Sequence, residues 1–498
     1  MNTVTTLTPA SSAQSAVPVI GVVDVGSNSV RLVVFEDGAR SPDYFFNEKT
    51  ICRLGEGLST TGQLNPEGKL RAMAALRRFV ELSEHMGVSK LVGVGTAAMR
   101  DAEDAPAFRD AIARETGLEI MVATGNEEAR LSASGVLLGW PDARGVIADL
   151  GGASLELARV DGGQISRAVT TPAGHLRLVD KEAPDAQSAL RALRTAAGDF
   201  TTMDGPLILI GGAWRGLAKA QMSRTDYPLH VLMGYELTPE EALDLCDWAQ
   251  DASPSALKKA ASASSSRVVS IAGGAAALKT LLTTLQPESV RISAYGLREG
   301  LVYDRMPPAM RSQDPLIAAA GRMEDRAARS PGFGAELFNW ITPVIDKMGA
   351  SEQRLAHAAC LLHDVNWRQH PDFRALACFA TVTRANLSGV GHKSRIFIGA
   401  ALLHRYKTNA LDSDVSAALG LLPDDTLQTA QAVGRALRLG AMLTGSARGM
   451  LGKSRLEIDG KELTLFLEPA VAVLAGERVE RRLAALADCL GLNPHLGA

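Results

Sequence analysis

One repeated pattern constrains this chain more than any other: an apolar strand, an Asp, an apolar residue, a Gly, then a small polar loop. Residues 18–25 (PVIGVVDV) run into Gly26-Ser27-Asn28-Ser29, and residues 145–154 (GVIADLGGAS) repeat the design. The two Asp-x-Gly units begin at Asp24 and Asp149, about 125 residues apart. After each, a second apolar strand follows at once, at Arg31–Glu36 and at 155–160 (LELARV). That order reads as a hairpin with a polar tip, not a strand–helix crossover. Glycine and small residues let main-chain N–H groups approach an anion closely, and an Asp at the loop entrance can serve a cation directly or through water. A single Asp-x-Gly is an ordinary turn. Two in matching strand contexts imply duplicated α/β domains. A third loop, Gly211-Gly212, ends the apolar run 206–210 and fits either a phosphate contact or a tight turn.

Around these loops the chain alternates strands and helices. A helix is expected at 65–86, capped by Asn65 with Pro66 in its first turn. A strand (91–96), a helix (106–117), a strand (118–125) and a helix (126–139) follow, up to a break at Pro141-Asp142. Residues 165–171 read as a strand, and 267–282 as strand or loop leading into helix. After Pro307-Pro308 the β signals fade. Residues 311–440 are Ala/Leu/Arg-rich and helical in pattern, 456–469 form a hairpin with Asp-Gly at its turn, and 478–491 form a closing helix. The expected organisation is a disordered tail (1–17), two α/β domains (18–140 and 141–306) and a helical domain (311–498).

Composition excludes several classes. With 46% hydrophobic and 21% charged residues the chain is not disordered. A net charge of −3 excludes a globally basic nucleic-acid binder but not a local anion site. The charge is also split: residues 311–498 carry 22 Lys+Arg against 19 Asp+Glu, whereas the remainder is net acidic. The five cysteines (Cys52, Cys246, Cys360, Cys378, Cys489) are scattered and form no C-x-x-C pair, which argues against a disulfide framework or structural zinc and fits a reducing cytoplasm. Residues 1–17 contain no Lys or Arg, unlike a secretory signal. No run of about 18 apolar residues is present, so no membrane-spanning helix is expected.

The motifs DVGSNSVRL (24–32), GTAAMR (95–100), GNEEARL (125–131), DLGGASLEL (149–157), GHLRL (174–178), IGGAWRGLAK (210–219) and YGLREGLVYD (295–304) resemble, in order and spacing, those of the exopolyphosphatase and guanosine pentaphosphate phosphatase family. That family lies in the sugar kinase, actin and Hsp70 superfamily. The resemblance implies two duplicated actin-like (ribonuclease H-like) α/β domains followed by a mainly α-helical, HD-like C-terminal domain. It also implies hydrolysis of a terminal phosphoanhydride with Mg²⁺ or another divalent cation. The substrate would be inorganic polyphosphate. The alternatives are guanosine pentaphosphate, hydrolysed to the tetraphosphate, and a non-catalytic alarmone or polyphosphate sensor. A homodimer is a further implication.

Residue by residue, the resemblance makes Glu128 the base that takes a proton from the attacking water, with Glu127 a helix-start neighbour. Arg31 and Arg100 match arginines placed at phosphates, where a guanidinium can hold two oxygens. Asp24, Gly26, Ser27, Asn28, Ser29, Thr96, Gly151, Gly152, Ser154, Gly211 and Gly212 fall in phosphate-binding positions. Asp149 and Glu156 match metal-associated acids, whose hard oxygens suit Mg²⁺. The chain departs from the family where Arg-Ala-Asp is usual, reading Arg267-Val268-Val269. His363-Asp364 looks like an HD metal motif, but 333–356 contain no upstream His, so a dinuclear site is not expected. His363, His370, His392 and His404 with Lys393, Arg395, Arg405 and Lys407 either line an anion-facing surface or are ordinary helix-surface residues.

Overall fold

The computed structural model describes residues 19–36, 38–179, 183–201, 204–406 and 413–497. The expected tail at 1–17 and Lys407 lie outside these residues. By internal packing the chain divides into two compact units, residues 1–123 and 124–498.

The first unit is built on β1 (Val19–Val25), a run of β-branched residues buried almost throughout. It pairs antiparallel with β2 (Ser29–Glu36), which continues to β3 (Tyr44–Ile51). On its other side β1 runs parallel to β4 (Lys90–Gly95), which pairs with β5 (Ile120–Val122). The order is β3-β2-β1-β4-β5. The expected helix is Pro66–His85; Asn65 accepts the Gly68 N–H at 2.7 Å, and Leu76 and Phe79 bury against the sheet core.

The second unit repeats that plan. Strands β6 (Gly145–Leu150), β7 (Leu155–Asp161) and β8 (Gln164–Thr171) form the antiparallel meander. Strand β9 (Leu207–Ile210) runs parallel to β6, and β11 (Val290–Ile292), edged by β10 (Glu236–Leu237), extends the sheet. Read from β8, the order β8-β7-β6-β9-β11 matches the first sheet strand for strand. This is the duplicated actin-like fold the loops imply.

Two expectations are corrected here. The division between units falls before the helix Gly125–Gly139, not after it at 140, because that helix packs on β6, β7 and β8 and on the helix Leu297–Tyr303. Residues 267–282 are helical throughout, within Ser265–Leu285. Its stretch Arg267–Leu285 has a mean hydropathy of 1.5, long and apolar enough to cross a membrane by length and composition alone. Here it packs in the core of the second sheet through Ile271, Ala275, Leu278 and Leu281.

The helical region after residue 311 belongs to the same unit as the second sheet. Tyr227 OH meets His392 Nδ1 at 3.0 Å, and Tyr295 OH meets Ser388 Oγ at 3.0 Å. Its core gathers Phe333, Leu337, Leu362, Phe397 and Leu437. The Asp-Gly hairpin forms as β12 (Ser454–Asp459) and β13 (Glu462–Leu467), and the closing helix is Glu477–Leu490. Strand β14 (Asn493–Gly497), which follows it, adds a parallel third strand that no alternation in the sequence announces.

Three histidines of this region are buried and neutral. Burial pushes His363 down to about 3 and His392 and His404 to about 4. Unfolded, each would titrate near 6.5, so between about pH 6.5 and 4 the unfolded chain binds protons that the folded chain refuses. Stability is therefore full above that window and falls as pH drops through it, by up to about 1.4 kcal/mol per pH unit for each histidine. Glu156, whose pKa is raised, works in the opposite sense above its ordinary value. Urea titrations from pH 7 to 4.5 should show the loss, and His404→Gln should remove about one proton's worth of slope. An unchanged slope in that variant counts against the account.

Candidate active site

Strand register brings the acids of the second unit together. Asp149 on β6 lies directly opposite Glu156 on β7, and Thr170 on β8 lies opposite Glu156 in turn. Directly opposed residues share a sheet face. Thr170 Oγ1 donates to Glu156 Oε1 at 3.0 Å, and Ser132 Oγ donates to Asp149 Oδ2. Ser132 sits one turn beyond Glu128 on the helix Gly125–Gly139, so the same helix face carries both. Glu128 is 9% exposed and Glu156 only 2%. Burial first, then the Glu128 and Asp149 carboxylates, hold the Glu156 carboxyl well above the usual carboxylate range, against hydrogen bonds from Ser154 and Thr170. Three acids thus crowd a poorly solvated place, an arrangement that favours a cation or a retained proton.

Among the described residues, no group of three or more His, Cys, Asp or Glu is arranged to hold a metal ion. Asp149 and Glu156 still supply two adjacent hard-oxygen groups, and Mg²⁺ commonly takes only one or two carboxylates from protein, with water and phosphate completing its shell. The donor set fits such an ion.

The two Asp-x-Gly loops close with the same turn. Gly26 N–H donates to Ser29 O at 3.0 Å, and Gly151 N–H donates to Ser154 O at 3.0 Å. The strand parallel to each is followed by a further loop. After β4, Thr96 N–H donates to Val25 O at 3.2 Å. After β9, Gly211 adopts φ 126°, and a Cβ there would lie 2.6 Å from Leu150 O. Gly211-Gly212 is therefore the topological twin of the Thr96 loop. Behind the second loop, His175 N–H donates to Gly151 O at 3.1 Å and Leu176 N–H to Gly152 O at 3.0 Å. These bonds show why the GHLRL segment belongs with the loop.

In the first unit, Arg31 lies opposite Asp24 in the β1–β2 register, and its Nε donates to Asn47 Oδ1 at 2.7 Å. Asn28 O accepts from Cys52 and Arg53, and Ser27 O accepts from Gly55, so residues 52–55 satisfy the loop's carbonyl groups. Thr96, buried, starts the short helix Ala97–Asp101, and its hydroxyl lies 3.9 Å from where a Gly26 Cβ would stand. Arg100 donates to Asp101 at 3.0 Å and to Ala123 O at 3.3 Å.

Glu127 has a defined structural task. It accepts from the Thr124 N–H and hydroxyl, both at 2.8 Å, in a capping box that lowers its pKa. Ser132, Thr170 and Arg215 were not anticipated. The i,i+4 spacing of Glu128 and Ser132 was a usable signal. Arg215, whose pKa burial lowers, lies near Arg298, Glu299, Asp149 and Arg267, and its Nε donates to Gly211 O at 3.1 Å. Only the fold assembles that group, and it brings Arg267, at the departed family motif, into the neighbourhood.

The HD-like pair is occupied by protein. Asp364, 1% exposed, takes bonds of 2.7 and 2.8 Å from Arg329. His363 Nδ1 engages Cys360 O at 2.8 Å. An anion-facing surface of histidines is not what forms. His392 packs against Tyr227 and Tyr235, His404 is buried, and Arg395, also buried, donates to the carbonyls of Ala385 and Leu387 at 2.6 and 2.7 Å. Among the described members of that set, only His370 and Lys393 are exposed.

Residues 33–309 match the Ppx/GppA phosphatase family. The chain belongs to that family. Residues 316–496 match the exopolyphosphatase C-terminal domain. Ppx/GppA relatives include exopolyphosphatase 1 of Mycobacterium bovis, 25% identical over 314 residues (58% of this chain, 88% of that protein). Retrograde regulation protein 2 of Saccharomyces cerevisiae is 25% identical over 436 residues (79% and 74%). Among solved structures, the Aquifex aeolicus Ppx/GppA member shares the fold at a TM-score of 0.52 and 22% identity, over 58% of this chain and 97% of that one. An exopolyphosphatase from Cytophaga hutchinsonii does so at 0.52 and 23%, over 57% and 96%.

Proposed function

We propose that this chain is an exopolyphosphatase that releases orthophosphate from the end of inorganic polyphosphate. As a member of the phosphatase family it is a hydrolase of phosphoanhydrides. The observation that carries the reading is the convergence of Glu128, Asp149 and Glu156 beside a glycine loop, since phosphoanhydride hydrolysis needs a positioned water and charge compensation, with little covalent chemistry from the protein. In this reading Glu128 orients a water and accepts its proton as the new P–O bond forms. The P–O–P bridge breaks, and the shortened chain leaves with the bridging oxygen. Asp149 and Glu156 would hold a divalent cation, which when bound supplies charge neutralisation at phosphate oxygens. Main-chain N–H groups of Gly152 and Ser154 would provide neutral donors to phosphate, the Gly151 N–H being held by Ser154 O in the loop-closing turn. For the first unit the reading is a phosphate-holding role for the 24–29 loop, Thr96, Arg31 and Arg100.

Supporting polyphosphate over guanosine pentaphosphate are the match to the exopolyphosphatase C-terminal domain and relatives named exopolyphosphatase. Phosphate release measured side by side on long polyphosphate and guanosine pentaphosphate tests the choice. Faster release from polyphosphate is expected; a wide preference for the nucleotide would sink it. Chelation should stop turnover and Mg²⁺ restore it. Asp149→Asn should raise the Mg²⁺ concentration needed for half-maximal rate at least about tenfold, by analogy with losses seen on weakening metal sites. An unshifted Mg²⁺ dependence would remove Asp149 from the metal role.

A further inference from the structure

Beside the HD-like pair lies a pocket of about 230 Å³, lined by Arg374, Arg405, Tyr406, Arg438, Ala441 and Met442. Three of its six walls are guanidinium groups. Arg405 is 8% exposed and lies 4.2 Å over the Tyr406 ring; Arg374 approaches the same ring at 5.6 Å. The neighbouring acid is Asp364, 3.7 Å from Arg405, and it is already held by two bonds from Arg329. Asp364 is thus shared by Arg329 and Arg405, while Arg374 and Arg438 add two further guanidinium groups to the pocket wall. The Nε atoms of Arg374 and Arg405 are buried without a hydrogen-bond partner among the described residues. Burial, with Arg482 and Arg405 nearby, lowers Arg438 to about 10. Buried positive charge without compensation is costly, so an excess of this kind is an electrostatic demand for an anion.

We infer that this pocket binds a small phosphate oxyanion, orthophosphate or diphosphate, on residues separate from the Glu128 site. Guanidinium forks match phosphate oxygens in pairs. The volume is below the about 300–1,000 Å³ of pockets that take drug-sized ligands, which suits one or two phosphate groups without a nucleoside. The inference stands on the arginines and does not depend on which phosphoanhydride the chain hydrolyses.

Met442, at the pocket wall and 38% exposed, provides a local probe. In the full chain labelled with ¹³C-methyl methionine, the Met442 signal is identified by its absence in Met442→Leu. Diphosphate or orthophosphate should shift it saturably, and chloride at equal ionic strength should not. Arg438→Gln and Arg374→Gln, both at partly exposed positions, should each weaken the response about tenfold, or about 1.4 kcal/mol. If one variant fails to fold, the methionine spectrum reveals it and the other decides. No shift at millimolar diphosphate overturns the inference. So does an unchanged response in both variants, or a shift produced by long polyphosphate and by neither small anion.

Discussion

Glu128→Gln is expected to lower kcat for phosphate release by about 10²–10⁴-fold, the range that a positioned general base contributes, while leaving substrate binding largely intact. The substitution keeps the shape of a side chain that is 9% exposed. It removes only the ability to accept a proton. Glu127→Gln is the matched control: glutamine can still accept from Thr124 in the capping box, so only the charge at the helix N-terminus is lost, about 0.3–1 kcal/mol of stability, with little change in turnover. A second readout separates chemistry from packing. Glu128 is one of the charges that raise Glu156, so the Gln variant should also let the Glu156 pKa fall toward its ordinary value. Wild-type turnover in Glu128→Gln would rule out the proposed base.

Gly300→Ala should be the most damaging small substitution in the second unit. A Cβ at Gly300 would lie 1.8 Å from Leu131 O, and one at Gly135 would lie 2.1 Å from Gly296 O. Both obstacles are backbone, so no rotamer relieves them and the helices Gly125–Gly139 and Leu297–Tyr303 must separate. Overpacking of well-packed sites costs about 1–3 kcal/mol, and a backbone clash belongs at or above the upper end. Because Glu128 and Ser132 ride on the first of these helices, turnover should fall as well; misplacement by about 1 Å can cost about 10²-fold. Gly321→Ala is the contrast. That helical glycine has open space at its Cβ position, and the change should stabilise by about 0.5–1 kcal/mol. Equal thermal midpoints for Gly300→Ala and wild type would contradict the close-approach argument.

Much of the architecture was legible because it depends on neighbours in the chain. The apolar runs before Asp24 and Asp149, and the second strands after them, announce the hairpins, and the observed registers place both loops at equivalent tips. Asn65-Pro66 marks a helix start through one side-chain oxygen and one fixed φ. The helix Ser265–Leu285 was harder. Its Val268-Val269 start is β-branched and its glycine pair imitates a loop, yet packing of its apolar face into the core of the second sheet overrides both. Strand β14 was invisible because NPHLG has no alternation and pairs only with the distant β13. The division at residue 123 was missed for a related reason: the helix carrying Glu128 follows the first sheet in sequence but buries its face on the second.

The candidate site divides along the same line. The resemblance of short motifs proposed Glu128, Asp149, Glu156 and the glycine loops as candidates. Their order also carried the family and the duplicated fold. Tertiary packing decided the rest: the raised Glu156 carboxyl, Ser132 on Asp149, Arg215 among Arg267 and Arg298, and the pairing of Asp364 with Arg329. It also turned the mild basic excess of residues 311–498 into a cluster, with Arg374, Arg405 and Arg438 around one pocket. The physical reason is range. Backbone preference and capping act over a few residues, so a linear string records them. Desolvation and Coulomb interaction depend on which distant segments close around a group, and only the folded chain sets that.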